Sequence, residues 1–272
     1  VIDKMTDYHS SICSWNPPRE GLRNTFGRQA IPMVWDYAEA NPFSSSSGCF
    51  DNMVEWVTKC VSEFPASQVA KVVQFDAQRD CGLLEIMVST DPPYYDNISY
   101  ADLSDFFYVW LRQSLKDTYP ELFSTMLVPK AEELIATPYR HEGSAEQAKE
   151  FFEDGMLSAC QQMYLYARED IPVTIYYAYK QSDSDADGTA SSGWETMLSA
   201  IIKAGFSITG TWPMSTERSS RTIGIGANAL ASSIVLVCRQ RPEDALHTTR
   251  RNLITPHPRH LPPPRQKTPD HN

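Results

Sequence analysis

A chain of 272 residues, 42% hydrophobic and 11% aromatic, holds enough apolar material for one large α/β domain or two small ones. Its formal charge of -10 excludes a broadly basic nucleic-acid coat, so any phosphate contacts are local or sit on another part of the polypeptide. No apolar run reaches membrane-spanning length and none reads as a signal peptide. The six cysteines (Cys13, Cys49, Cys60, Cys81, Cys160, Cys238) lack metal-ligand spacing, as reduced core cysteines of a cytoplasmic protein do.

In chain order, residues 1–48 read as irregular. The chain opens on Val1 and its first forty residues carry no start-like feature, so it reads as a piece of a longer polypeptide. Asn16-Pro17-Pro18-Arg19 is turn material, and Asn41-Pro42 with the Ser/Gly run 44–48 gives a flexible connection. Residues 49–241 read as one α/β unit. Phe50, Met53, Val54, Val57, Val61 and Phe64 recur at helical spacing, and Pro65 stops the helix they predict. Val69–Phe75 is β-branched and apolar, which predicts a short buried strand ending at Asp76. A second apolar run, Leu83–Val88, predicts another buried strand. From Tyr100 onward Leu103, Phe106, Phe107, Trp110 and Leu111 form a wide apolar stripe, so a helix with mostly core aromatics is expected. Asp102 and Asp105 fall in its first turns, where acids suit the helix dipole. Capping is the expected role for Asp105; for Asp102 a place facing a ligand pocket stays open beside it.

Pro129–Gly143 is a connection carrying basic and aromatic residues. Lys130 and Arg140 are candidate phosphate contacts, with solvated surface charge as the alternative. A long helix is predicted over Ala145–Arg168, a buried strand over Ile171–Tyr179, and an acidic Ser/Gly-rich loop over Ser182–Gly193. A helix over Trp194–Ala204 ends at Gly205, a good C-cap. Strands over Phe206–Trp212 and Ser233–Arg239 close the unit, with Arg218, Arg221 and Gly224–Asn228 between them as a basic, glycine-bearing loop suited to nucleic acid. From Pro242 the composition changes. Residues 245–272 hold six of the 19 prolines and four of the six histidines, and the segment 242–272 is expected to be a disordered tail.

The chemistry concentrates in Ser89-Thr90-Asp91-Pro92-Pro93-Tyr94-Tyr95-Asp96, a loop at the carboxyl end of the Leu83–Val88 run. In open α/β sheets ligands bind at such ends. Pro92 and Pro93 have no N–H and a fixed φ, so their carbonyls remain as acceptors in a stiff loop. Asp91 adds an ionised acceptor and Tyr94 a flat aromatic face. Acceptors beside a stacking ring suit a planar group that bears an exposed amino group. A proline-rich turn after a core strand is the bland alternative.

The tetrad Asp91-Pro92-Pro93-Tyr94 resembles the signature of DNA methyltransferases that modify exocyclic amino groups. The stretches Arg28–Asp36, Tyr100–Phe107, Thr211–Glu217 and Asn228–Ser233 are further similar to large prokaryotic adenine-specific DNA methylases with an N-terminal domain of unknown function, over about residues 28–239. The resemblance implies a Rossmann-like, S-adenosylmethionine-dependent methyltransferase fold ending in an antiparallel strand pair. It implies that Asp91 and the Pro92 carbonyl hold the adenine amino group, with Pro93 completing the tetrad, and that Tyr94 stacks on the flipped base. Asp76 answers by order to the residue that contacts the cofactor adenine, with a solvated turn aspartate as the alternative, and Asp102 borders the cofactor if it does not cap. DNA is the implied partner. The family's glycine-rich loop, Phe-x-Gly-x-Gly in type, does not follow a strand here. Ile223-Gly224-Ile225-Gly226 lies between the last two strands instead. The chain therefore looks like the carboxyl-terminal part of such an enzyme, incomplete in its cofactor site, with the missing upstream part as a further partner. A catalytically inactive DNA-binding or specificity module of the same fold is the alternative.

Overall fold

The computed structural model describes residues 1–27, 30–31, 33–95, 98–178, 192–214 and 233–245. The Ser182–Gly193 loop for the most part, the loop with Arg218, Arg221 and Gly224–Asn228, and the tail from 246 lie outside these residues. The described chain is mixed α/β, with five α-helices and a mixed sheet: α1 Ile2–His9, α2 Phe50–Glu63, α3 Tyr100–Leu115, α4 Ala145–Tyr166 and α5 Ser192–Lys203. Strands β1 Ser14–Asn16 and β2 Gly21–Arg23 form a small hairpin. The larger sheet has the order β3-β4-β6-β5, from β3 Ser89–Thr90, β4 Val173–Ala178, β5 Phe206–Met214 and β6 Ser233–Gln240. β3 runs parallel to β4, while β6 is antiparallel to both β4 and β5, so the last two strands form an antiparallel pair, as the resemblance implies. No helix among the described residues is long and apolar enough to cross a membrane.

The core lies on one face of this sheet. Alternation in β4 turns Val173, Ile175 and Tyr177 to one side, and their antiparallel partners Cys238 and Leu236 on β6 share that side. Helix α4 covers them with Phe152, Met156, Cys160 and Met163, spaced three and four apart, and α5 adds Met197, Ala200 and Ile201. The Ser144 side chain starts α4 by accepting the Gln147 N–H at 3.2 Å, and Gly205, at φ +104°, ends the α5 segment where other residues would be strained. These elements match their sequence-predicted spans within two or three residues.

Four expectations are corrected. Residues 1–48 are not wholly irregular: α1 and the β1–β2 hairpin form there, and the Asp7 carboxylate binds them by accepting the Phe26 N–H (3.2 Å) and the Asn24 amide (3.0 Å). Phe26 then packs against Phe106 and Phe107 of α3, with ring centroids 5.2 Å apart in each pair. The Leu83–Val88 run is not a continuous strand, because Glu85 takes φ +55° and breaks the extended backbone. Only an Ile86–Ala167 bridge precedes β3. The apolar stripe of α3 is only partly covered: Leu103, Phe106, Phe107 and Leu111 are half-buried and Trp110 is 46% exposed, while the buried residues of the helix are Ala101 and Tyr108.

Val69–Phe75, the fourth of these, is extended but is not a strand. Its backbone finds no hydrogen-bond partner among the described residues, and Val69, Val72, Val73 and Phe75 are exposed. Sequence pattern predicts what a segment can bury, not whether a neighbour is present to pair with it. The same holds for α2. The helix forms where its periodicity places it, yet none of its residues is buried, and Val57, Val61 and Phe64 face solvent. Hydrogen exchange on the isolated chain is therefore expected to find the amides of residues 69–75 exchanging at nearly the rate of an unstructured peptide, and those of β4 and β6 strongly protected. Protection of 69–75 equal to that of β4 would contradict this description.

Candidate active site

The loop 91–95 leaves the carboxyl end of β3 beside β4; Ser89 and Thr90, which the sequence reading places in the loop, form that short strand. Two contacts of Tyr95 pin it: the ring packs edge-on against Phe152 at 5.2 Å, and the Tyr95 carbonyl accepts the Ala136 N–H at 2.8 Å. Within the loop the Tyr94 hydroxyl donates to Asp91 Oδ1 at 3.2 Å. Asp91 itself is exposed and Pro92 half-buried.

An open cleft of about 870 Å³ runs along this loop. Asp91, Pro92 and Pro93 form one wall, and the turn from Phe75 to Arg79 forms another. Its floor is apolar and rich in sulfur, from Met156, Cys160 and Met163 of α4 and Met197 of α5. Its rim is acidic, carrying Asp76, Asp91, Glu132 and Glu133. Asp76 shapes its own turn: Oδ1 accepts the Gln78 N–H at 3.0 Å, and Oδ2 lies 3.2 Å from Arg79 Nε. The floor thiol does not supply a nucleophile. Burial, with Cys238 nearby, pushes the Cys160 thiol up to about 12, so it stays protonated at neutral pH. The cleft thus offers oxygen acceptors over an apolar base, an arrangement that takes a donor-bearing, partly apolar ligand.

The sequence-predicted residues divide into four groups. Asp76, Asp91, Pro92 and Pro93 meet on the cleft. Tyr94 sits on the same loop but is turned towards Tyr177, with ring centroids 5.4 Å apart. Asp102, Lys130 and Arg140 lie outside the cleft lining, in a network of ion pairs. Arg140, with its side chain 13% exposed, lies 3.0 Å from Asp102 and 2.7 Å from Glu133, and it donates to the Lys130 carbonyl at 3.1 Å. Burial works against its charge, and Glu133, Asp102 and Tyr139 more than offset that, holding Arg140 protonated. Lys130 is bound to Asp105 at 2.7 Å and to the Val128 carbonyl at 3.0 Å. Both cations are therefore committed within the chain. Arg218 and Arg221 lie outside the described residues.

This network corrects the capping role expected for Asp105, whose carboxylate accepts from Val128 N–H (2.9 Å) and Lys130 and so holds the chain after α3. The α3 start is met instead by Glu133, whose Oε1 accepts the Ala101 N–H at 2.9 Å. Glu133 lines the cleft as well, so it joins the cleft wall to α3. Sequence reading passed over it, because an acid in a polar connection carries no signal of what it reaches.

The pairing of Asp102 has a pH signature. Burial acts to raise its carboxyl, but hydrogen bonds from Tyr139 and Arg140 and the charges of Arg140 and Lys130 leave it below the ordinary carboxylate value. Its contribution to stability is then fully present above the unfolded value of about 4 and is lost as pH falls through the lower folded value. An Asp102→Asn chain is expected to be less stable at pH 6 and to lose less further stability between pH 5 and pH 3. Thermal unfolding across that range tests it, and parallel acid limbs in the two chains would contradict the pairing.

Comparison with known proteins returned no matching family model, no matching curated protein and no matching solved structure.

Proposed function

We propose that the cleft is the target-amino half of an S-adenosylmethionine-dependent methyltransferase acting on the exocyclic amino group of adenine in DNA, in a cytoplasmic setting. The observation that carries this reading is the meeting of Asp91, Pro92 and Asp76 on one cleft at the carboxyl end of a parallel strand. The antiparallel last pair of strands agrees with the Rossmann-like methyltransferase fold that the sequence resembles. As the amino nitrogen takes a methyl group it gains positive charge. The Asp91 carboxylate and the Pro92 carbonyl are acceptors for its two N–H groups and stabilise that charge over an apolar floor. Tyr94, beside the cleft lining rather than in it, is the ring that this reading assigns to stack on the extruded base, since the amino group is out of reach inside a duplex.

S-adenosylmethionine would supply the methyl group. Its fit to the described residues is partial. Asp76, beside Phe75, offers a carboxylate and a flat ring on the cleft wall. A glycine-rich turn for close backbone approach is not among the described cleft residues, so no step is derived through the cofactor. The uncovered apolar side chains of α2 and 69–75 support a further polypeptide part packing there, as the resemblance implies.

Transfer of a labelled methyl group from S-adenosylmethionine to DNA tests the reading, with the product nucleoside identified. Label in N6-methyladenine is expected. Label in cytosine, or none from a folded chain that binds the cofactor, would contradict it. The incomplete cofactor fit also favours a second reading, a DNA-binding module that transfers nothing. It predicts DNA affinity indifferent to Asp91.

A further inference from the structure

Stacking requires a ring held in one plane, whereas a tyrosine on an exposed loop has two side-chain torsions to settle. The Tyr94 hydroxyl is tethered to Asp91, which fixes where the ring points but not its plane. The plane is met by Tyr177, at 5.4 Å between centroids and 88° between rings. Tyr177 is not part of the loop. It stands near the end of β4 on the core face, 3% exposed, and so moves only with the sheet. Trp194, in the first turn of α5, packs on Tyr177 at 5.7 Å with its ring tilted by 36°. The neighbouring Gly193 lets α5 come this close: a Cβ there would lie 2.7 Å from Tyr95 Cβ and 3.2 Å from the Tyr177 hydroxyl. Strand, helix and loop thus converge on one aromatic line, from Trp194 through Tyr177 to Tyr94.

We propose that Tyr177, backed by Trp194, is a positioning residue for Tyr94, setting the ring plane on which the extruded base stacks. The inference rests on the reading of Tyr94 as the stacking face. It adds that the orientation of the base is determined from the sheet and from α5, not within the loop. Edge-to-face packing gives Tyr177 this role through its ring, so Phe serves in its place and an aliphatic side chain does not.

The test uses the full chain with ¹³C-labelled tyrosine rings and a duplex carrying an adenine opposite an abasic site. The Tyr94 signals are assigned by their loss in Tyr94→Phe. In Tyr177→Leu they are expected to lose their ring-current displacement, and the duplex Kd is expected to rise about tenfold, a large share of what one base–aromatic stack contributes. Tyr177→Phe is expected to keep Kd within about twofold of the original, because the ring contact remains. Should Tyr177→Leu fail to fold, Trp194→Leu carries the same test, with an expected rise of roughly threefold because it acts one ring further away. Tyr94 signals that do not move in the variants overturn the inference, as does a Kd that depends on Tyr94 but not on Tyr177 or Trp194. A Kd unchanged by Tyr94→Ala overturns the stacking reading, and the inference with it.

Discussion

An Asp91→Ala chain is expected to lose methyl transfer to adenine by about 10²–10³-fold, the scale on which removing one group aimed at developing charge slows a reaction. Its folding is expected to be almost untouched. Asp91 is exposed on the loop, and its described partner is the Tyr94 hydroxyl, so the stability change stays within about 0.5 kcal/mol. Asp91→Asn keeps an acceptor but removes the charge, and is expected to fall between the two. Initial rates with labelled S-adenosylmethionine, set beside thermal unfolding curves, read both quantities. Transfer at the original rate in Asp91→Ala would remove this residue from the chemistry.

Phe152→Ala is expected to have the largest effect on stability, about 3–5 kcal/mol, the range for deleting a fully buried phenylalanine. The ring is 0% exposed and sits where α4 meets the core face of the sheet. It is also the surface on which Tyr95 rests, so the loop 91–95 loses an anchor as the core loses volume. Urea unfolding measures this as a fall in the midpoint with little change in slope. A shift under 1 kcal/mol would mean that the contact between α4 and the loop is not the one described.

The elements that bury a face against a neighbour within the chain were legible in the sequence. α4, α5, β4 and β6 each carry a clear period, and each finds its partner among the others. Two elements carry the same kind of signal without a neighbour: Val69–Phe75 reads as a buried strand and is not one, and α2 forms as the helix its spacing predicts, yet both stand uncovered among the described residues. Periodicity reports a demand for burial, not its supply. The site divides along a similar line. Asp91, Pro92 and Pro93 are adjacent in sequence, so their chemistry is visible there, and Asp76 joins them on the cleft. Glu133, Tyr177 and Trp194 act across the fold, and an acid in a connection or an aromatic in a strand looks the same whatever it touches. Lys130 and Arg140 show the converse. Their charge suggested phosphate, but in the fold both are held by carboxylates seven to 38 positions away: Arg140 pairs with Glu133 and Asp102, and Lys130 with Asp105.

On the proposed function, the cleft receives the amino group of an extruded adenine. The most direct test compares the affinity of the chain for two duplexes, alike except that an adenine opposite an abasic site is replaced by purine, which lacks the amino group. Adenine is expected to bind tighter by roughly tenfold, from hydrogen bonds to a charged acceptor, and Asp91→Ala to erase the difference. Equal affinity for the two duplexes in the unaltered chain would contradict it.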